Sequence, residues 1–285
     1  LPNKVVIVTD STAYLEPGEA QKLGIYIAPL NIKMGEQTFL EGVDIDSEEL
    51  FRRINLGAPL PTSSPPEATT FERIYTQIHK QTDKILSIHT SSHLSNTVQK
   101  AKMGSEGLMG RCTIEVVDSL TTSVGLGILA RAAAKAAQAG MSLDDIVRLV
   151  RGMLPHIYLV FYVEQMDYLE RGGRIGQAQA ILGAMLNIKP ILFMEDGDII
   201  PLEKVRTTDK AIEKLYEFVV EFDNLEETAI IQCSKAPTRE ARILQNRLKQ
   251  SFPDIEFPII QYGPDLSIHV GPTALGVVVY EGLTF

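Results

Sequence analysis

Long apolar runs are missing from this chain: none reaches the roughly eighteen consecutive apolar residues that a membrane-spanning helix needs. Cysteine is scarce, with only Cys112 and Cys233 in 285 residues. Two thiols so far apart in the chain point to neither a disulfide framework nor a thiolate metal site, and they fit a reducing compartment. Positive charge is outnumbered, with 27 Lys and Arg against 36 Asp and Glu and a formal net charge of −9. That balance argues against nucleic acid or an anionic membrane surface as the main partner. The chain enters "KVVIVTD" almost at once, without a basic segment, apolar stretch and cleavage site before it, so the expectation is a cytoplasmic protein.

Several chemical signatures are absent as well. No G-x-x-x-x-G-K-[ST] run exists, which excludes a P-loop by pattern, and no G-x-S-x-G elbow surrounds any serine. His89 and His93 are four apart, but the Glu of H-E-x-x-H is missing and the stretch 87–94 reads as strand then turn, so no metal site is expected. "GLGILA" (125–130) fits G-x-G-x-x-A, yet its glycines fall well after a strand end and inside an Ala-rich helix. A dinucleotide turn needs the first glycine directly at the strand end, so close helix packing is the better reading.

What is present is ample core material, 45% hydrophobic residues, arranged in alternating patterns. "KVVIVTD" (4–10), "IYIAPLNIKM" (25–34), "KILSIHT" (84–90) and "TIEVVDS" (113–119) read as buried strands. Helical patterns lie near 17–23, 47–55, 66–82, 94–109 and 123–139, with Ser47 as an N-cap, Gly24 and Gly140 as left-handed caps, and Pro65 and Pro66 opening a helix. This βα repetition predicts a mainly parallel sheet covered on both faces. After residue 155 the texture changes. "IKPILFMEDGDIIPLEKVR" reads as a hairpin turning at Asp196 to Asp198, and "TAIIQCS" (228–234), a helix over 238–250, "IEFPIIQYG" (255–263) and "ALGVVVYEG" (274–282) follow. The expected organisation is α/β in two domains, a mainly parallel N-terminal one (1–155) and a mixed C-terminal one (156–285).

Small hydroxyl side chains gather in three clusters, "TDST" (9–12), "PTSSPP" (61–66) and "TSSHLSNT" (90–97), on one side of the predicted N-terminal sheet. Each alone is ordinary helix capping. Together, at the carboxyl ends of strands, they make a donor-rich crevice suited to a carboxylate or phosphate. In the second half, Arg174 after "RGG" and Arg206 beside Thr207 and Thr208 have placements suited to an anion, and His269 precedes a Gly-Pro turn.

"VVIVTDSTA", "PLNI", "PTSSP", "SSHLSNT", "EVVDSLTTSVGLG", "LERGGRIG", "IKPIL", "KVRT" and "IHVGPTALG", in this order over nearly the whole chain, resemble the DegV family. These are the bacterial fatty-acid-binding proteins that serve fatty acid kinase. The resemblance implies a two-domain DegV-like fold holding one long-chain fatty acid in the interdomain crevice, tail buried and carboxylate near the surface. It carries carboxylate binding onto Thr62, Ser63, Ser95, Asn96 and His269, and phosphate or kinase interaction onto Arg174 and Arg206. The partner kinase subunit would supply ATP and magnesium and form the acyl phosphate used in phospholipid synthesis; this chain would be the carrier and not the enzyme, with no cofactor beyond its ligand. Asn96 stands where the family commonly has Gly, and Ser64 where Gln is common; Asn tolerates left-handed backbone better than most other residues.

A carrier of this kind needs an apolar tunnel, for which Ile32, Phe161, Met185 and Met194 are candidate lining residues, the methionines being adaptable fillers. The resemblance leaves room for a transient contact with a membrane surface. A competing expectation is an acyl or phosphoryl transferase in which His269 activates Ser95, a reading that requires the two side chains within hydrogen-bond reach.

Overall fold

The computed structural model describes residues 4–173 and 188–283; Arg174, Met185 and the helix expected over 175–186 lie outside them. Val6–Asp10 (β1) is buried at every position, as suits β-branched residues in a strand covered on both faces. It pairs in parallel with Tyr26–Ala28 (β2) and with Lys84–His89 (β6), and β6 pairs in parallel with Thr113–Asp118 (β7), giving the order β2-β1-β6-β7. Side chains alternate across this sheet. Val6, Val8 and Ile85 pack on Phe71 and Tyr75 of Ala68–His79 (α3) and Ala101 of Thr97–Ser105 (α4), while Ile7, Leu86 and Ile88 face Ser123–Gln138 (α5) and Leu143–Met153 (α6). A short helix, Glu19–Leu23 (α1), joins β1 to β2.

The single strand expected over 25–34 is two. Pro29 cannot donate to a ladder, and beyond it Asn31–Met34 (β3) joins a separate antiparallel sheet with Gln37–Leu40 (β4) and Thr62–Ser64 (β5). Ser47–Asn55 (α2) covers this small sheet, and Leu50 packs on Ile32, Met34 and Ile45. Its N-cap is Asp46, whose Oδ1 accepts from the Glu49 amide at 2.8 Å, rather than the expected Ser47. Ser47 is instead buried and donates to the Tyr262 carbonyl at 2.8 Å, a contact across the two halves.

The second half builds a six-stranded sheet from Ile157–Tyr162 (β8), Lys189–Glu195 (β9), Asp198–Val205 (β10), Glu227–Gln232 (β11), Ile259–Gln261 (β12) and Leu275–Tyr280 (β13), in the order β10-β9-β8-β13-β11-β12. Only β11 and β12 run parallel; the other neighbours are antiparallel. The hairpin turn falls where the sequence places it: Asp196 and Gly197 both have positive φ, 49° and 88°, as a two-residue turn between right-twisted strands requires. Thr208–Val220 (α8) and Arg239–Ser251 (α9) cover the outer face, and the short helices Asp167–Arg171 (α7) and Pro264–Val270 (α10) lie on the inner side.

The inner face of this sheet (Leu159, Phe161, Ile231, Val278) shares one apolar cluster with α5 and the parallel sheet. Twelve of the 16 residues of α5 are buried, as expected of a helix with sheets on both sides. Its glycines serve close packing: a Cβ at Gly127 would overlap the Ala13 carbonyl oxygen, and one at Gly125 would lie 2.8 Å from Thr121 Oγ1. Gly127→Ala is therefore expected to lower the unfolding free energy by about 1–3 kcal/mol, read from the midpoint of chemical denaturation at unchanged slope.

Candidate functional site

Between the six-stranded sheet and the first half lies a cavity whose empty space, counted out into its open mouth, is ≈ 890 Å³. Its apolar wall comes mostly from alternate residues of the sheet, Leu159 and Phe161 on β8, Met194 on β9, Ile199 on β10 and Ile231 on β11, with Leu169, Leu266 and Val270 from α7 and α10. The first half supplies small polar side chains: Ser63 and Ser64 of β5, Thr90, Ser95 and Asn96 ahead of α4, and Thr122, the N-cap of α5. From α10 come Asp265 and His269.

These groups reach the cavity for local reasons. β5 is held against β3 by its ladder and by Asn31 Nδ2, which donates to the Pro65 carbonyl at 3.0 Å. Residues 90–96 leave the parallel strand β6 at its carboxyl end, where Asp10 accepts from the Thr90 amide at 3.0 Å and Ser91 N–H donates to the Thr121 carbonyl at 2.8 Å. Asp10 itself belongs to a fully buried chain of bonds: His89 Nδ1 is 3.1 Å from its Oδ2, Ser87 Oγ 2.7 Å from His89 Nε2, and Tyr75 donates to Ser87 at 2.8 Å. His89 is thus a satisfied core histidine.

His269 stands in the last turn of α10, with Ser63 Oγ 3.1 Å from its Nε2 and Asp265 Oδ1 3.7 Å from the same nitrogen. Ser95 Oγ pairs with Thr97 Oγ1 at 2.8 Å. The hydroxyl beside His269 is therefore Ser63 and not Ser95, and the Asp lies on the nitrogen that faces the serine instead of holding the opposite one, unlike a Ser-His-Asp relay. Gly172 leaves the space that the His269 ring occupies, since a Cβ there would overlap Nδ1. Tyr262 reaches the cavity with its hydroxyl donated to the Gly271 carbonyl at 2.7 Å, and burial pushes its pKa well above the usual phenol value.

Of the residues singled out from sequence, Ser63, Ser95, Asn96, His269, Phe161 and Met194 line this cavity. Thr62 lines a second cavity of ≈ 800 Å³ that shares Ser63 and His269 with the first, because neighbouring strand residues face opposite ways. Ile32 is not on the wall; its side of β3 turns to α2. Arg206 is exposed between β10 and α8 and lines neither cavity. Asn96 has φ −78°, so no left-handed backbone is needed where the family commonly has Gly. Thr90 was included in the 90–97 hydroxyl cluster; the sequence reading gave no role to Thr122, Asp265 and Arg171, the last of which lines the second cavity and stacks on Tyr168 at 5.0 Å. Of these, only Asp265 carried a signal, its i, i+4 spacing from His269, and reading it depended on recognising the short helix α10.

The family model described as "Uncharacterised protein, DegV family" matches residues 4–282. The chain belongs to the DegV family. A DegV domain-containing protein of Streptomyces coelicolor is 37% identical over 279 residues, covering 96% of this chain and 98% of its own length. Protein DegV of Bacillus subtilis is 30% identical over 276 residues, covering 96% and 98%. A crystal structure of DegV, a fatty acid binding protein from Bacillus subtilis, superposes with a TM-score of 0.89 at 29% identity, covering 98% of this chain and 100% of that one. A fatty-acid-binding DegV family protein from Thermus thermophilus gives 0.89 at 28% identity, with the same coverage. The α/β architecture, parallel sheet plus mixed sheet, is that of these DegV neighbours.

The β9–β10 turn closes onto the polar wall of this DegV fold through two contacts. Buried Ser91 donates to the Gly197 carbonyl at 2.7 Å, and half-exposed His93 Nδ1 lies 2.9 Å from Asp198 Oδ2. Ser91→Ala should cost about 1–2 kcal/mol and speed amide exchange around 196–198, while His93→Ala should cost less than about 1 kcal/mol. Hydrogen exchange and denaturant titration of the two variants check this ranking.

Proposed function

We propose that the chain binds one long-chain fatty acid in the ≈ 890 Å³ cavity, tail against the six-stranded sheet and carboxylate on the polar wall. The observation that carries this reading is the division of one cavity into an apolar wall and a wall of small hydroxyls with a single histidine, in a chain whose DegV neighbours from Bacillus subtilis and Thermus thermophilus are fatty acid binding proteins. The two halves, divided at residue 155, hold the ligand between them. Ser63, Ser95, Asn96 and His269 receive the carboxylate, with Thr62 approaching from the second cavity. Phe161 and Met194 line the tail.

Affinity comes from the tail. About sixteen carbons at roughly 0.8 kcal/mol per buried methylene supply on the order of 10 kcal/mol before ordering costs. The hydroxyls orient the head without committing a buried full positive charge. A carrier with the carboxylate near a second, open cavity suits presentation to a cytoplasmic partner kinase that brings ATP and magnesium and forms the acyl phosphate, with Arg174 and Arg206 as its contacts.

Organic extraction of the purified protein followed by mass spectrometry should recover a near-stoichiometric long-chain fatty acid. Recovery of none, with no uptake of added oleate, would overturn the reading. Ser63→Ala and Ser95→Ala should each weaken oleate retention roughly tenfold, the worth of one hydrogen bond to a charged group. Arg206→Ala should leave oleate content unchanged and lower ATP-dependent acyl phosphate formation, trapped with hydroxylamine, when a kinase fraction is added. Equal trapping by both proteins would remove Arg206 from the kinase contact.

A further inference from the structure

Glu41 follows β4 and is 2% exposed, at the seam between the halves. Ser11 donates to its Oε2 at 2.6 Å, and the amide of Asp265, in the first turn of α10, donates to its Oε1 at 2.9 Å. Gly263 is pressed so close that a Cβ there would lie 2.5 Å from Oε1 and 2.7 Å from the ring of Tyr14. The titratable groups that face Glu41 are acidic: Asp10 at the end of β1, itself bonded to His89, Asp265 on α10, and the phenol of Tyr14. Burial, then the Asp265 carboxylate, push the Glu41 carboxyl up to about 8, against the pull of Ser11 and the Asp265 amide. The helix held at this point carries Asp265, Leu266, His269 and Val270 onto the cavity wall.

We propose that Glu41 is a positioning residue for the head-group site: its neutral carboxyl clamps the start of α10 to the first half, and its ionisation loosens α10, drawing His269 off the polar wall and releasing the bound acid. The release step rests on the fatty-acid reading; the clamp does not. A carboxyl raised in the closed state binds a proton that the solvated, open state gives up near pH 4.5. The clamp is therefore at full strength below that pH, weakens as pH rises to about 8, and changes no further above it. Retention of a fatty acid, itself ionised throughout most of this range, should fall in the same window.

The test compares amide exchange over 264–270 in the wild-type chain and Glu41→Gln from pH 6 to 9, each normalised to α9 in the same sample. Glutamine's one oxygen can keep the Asp265 amide contact, its Nε2 donates to Ser11 Oγ where the carboxyl oxygen had accepted, and it does not titrate. The wild-type to Gln ratio should rise by up to about tenfold per pH unit and level off near pH 8. A ratio independent of pH would overturn the clamp. Should the Gln protein not fold, Asp265→Asn provides a second check: removing the facing charge should bring the plateau to lower pH, and an unmoved plateau would count against Glu41. Oleate dissociation measured on the same samples should accelerate with pH in wild type only. Failure to hold oleate at any pH, with the exchange profile as expected, would strike the fatty-acid reading and leave the clamp standing.

Discussion

Burial of α5 between two sheets is the contact on which the rest of this molecule depends. The helix is built almost wholly of Ala, Gly, Leu, Ile and Val, so it has no wide polar face to give to water. Glycines at 125 and 127 let backbones approach where a methyl group would not fit. Its one strongly polar anchor, Arg131, reaches Glu19 in the first half and Glu227 on β11 in the second. Once α5 is seated, the inner face of the six-stranded sheet must lie opposite the carboxyl ends of β1 and β6, and the cavity is what remains beside the helix N-terminus.

The cavity inherits its polarity from this arrangement. Strand ends in a parallel sheet deliver loops and helix N-termini, which are rich in Ser, Thr and Asn because those residues satisfy free amides. The inward face of an antiparallel sheet delivers alternate apolar residues. Two ordinary structural necessities, placed face to face, produce a wall of hydroxyls and a wall of hydrocarbon. An amphipathic acid is the ligand that satisfies both, and a cavity with an apolar wall and a few convergent polar groups has the lining of a small-molecule site. The short helix α10 belongs to neither sheet. It spans the seam, capped by Glu41 and bonded through Ser267 to Ser47 at 2.9 Å, so its position reports how the halves fit.

Much of the fold was legible in order. The runs at β1, β6 and β7 and the hairpin through Asp196 and Gly197 rest on interactions between near neighbours, while the glycines of α5 showed that something packs closely there without showing that it is Ala13. The site was legible in part as hydroxyl clusters, and through the DegV resemblance as residues: Ser63, Ser95, Asn96 and His269 stand on the cavity. Ile32 was misplaced because an apolar strand residue says only that it is buried, not against what. Ser47 was misassigned for a related reason, since the cap was taken by Asp46 and the serine was drawn to a carbonyl 215 positions away.

By itself the sequence determined the elements, their alternation and the supply of small hydroxyls, because backbone preference and side-chain period act within a few residues. The tertiary structure alone decided which hydroxyl meets His269, which face of β3 is seen from the cavity, and that Glu41 is shut in with Asp265. The Ser63–His269 and Glu41–Asp265 contacts join segments about 200 residues apart and the face of β3 is set by α2 and β5, so none of these outcomes is carried by a local pattern.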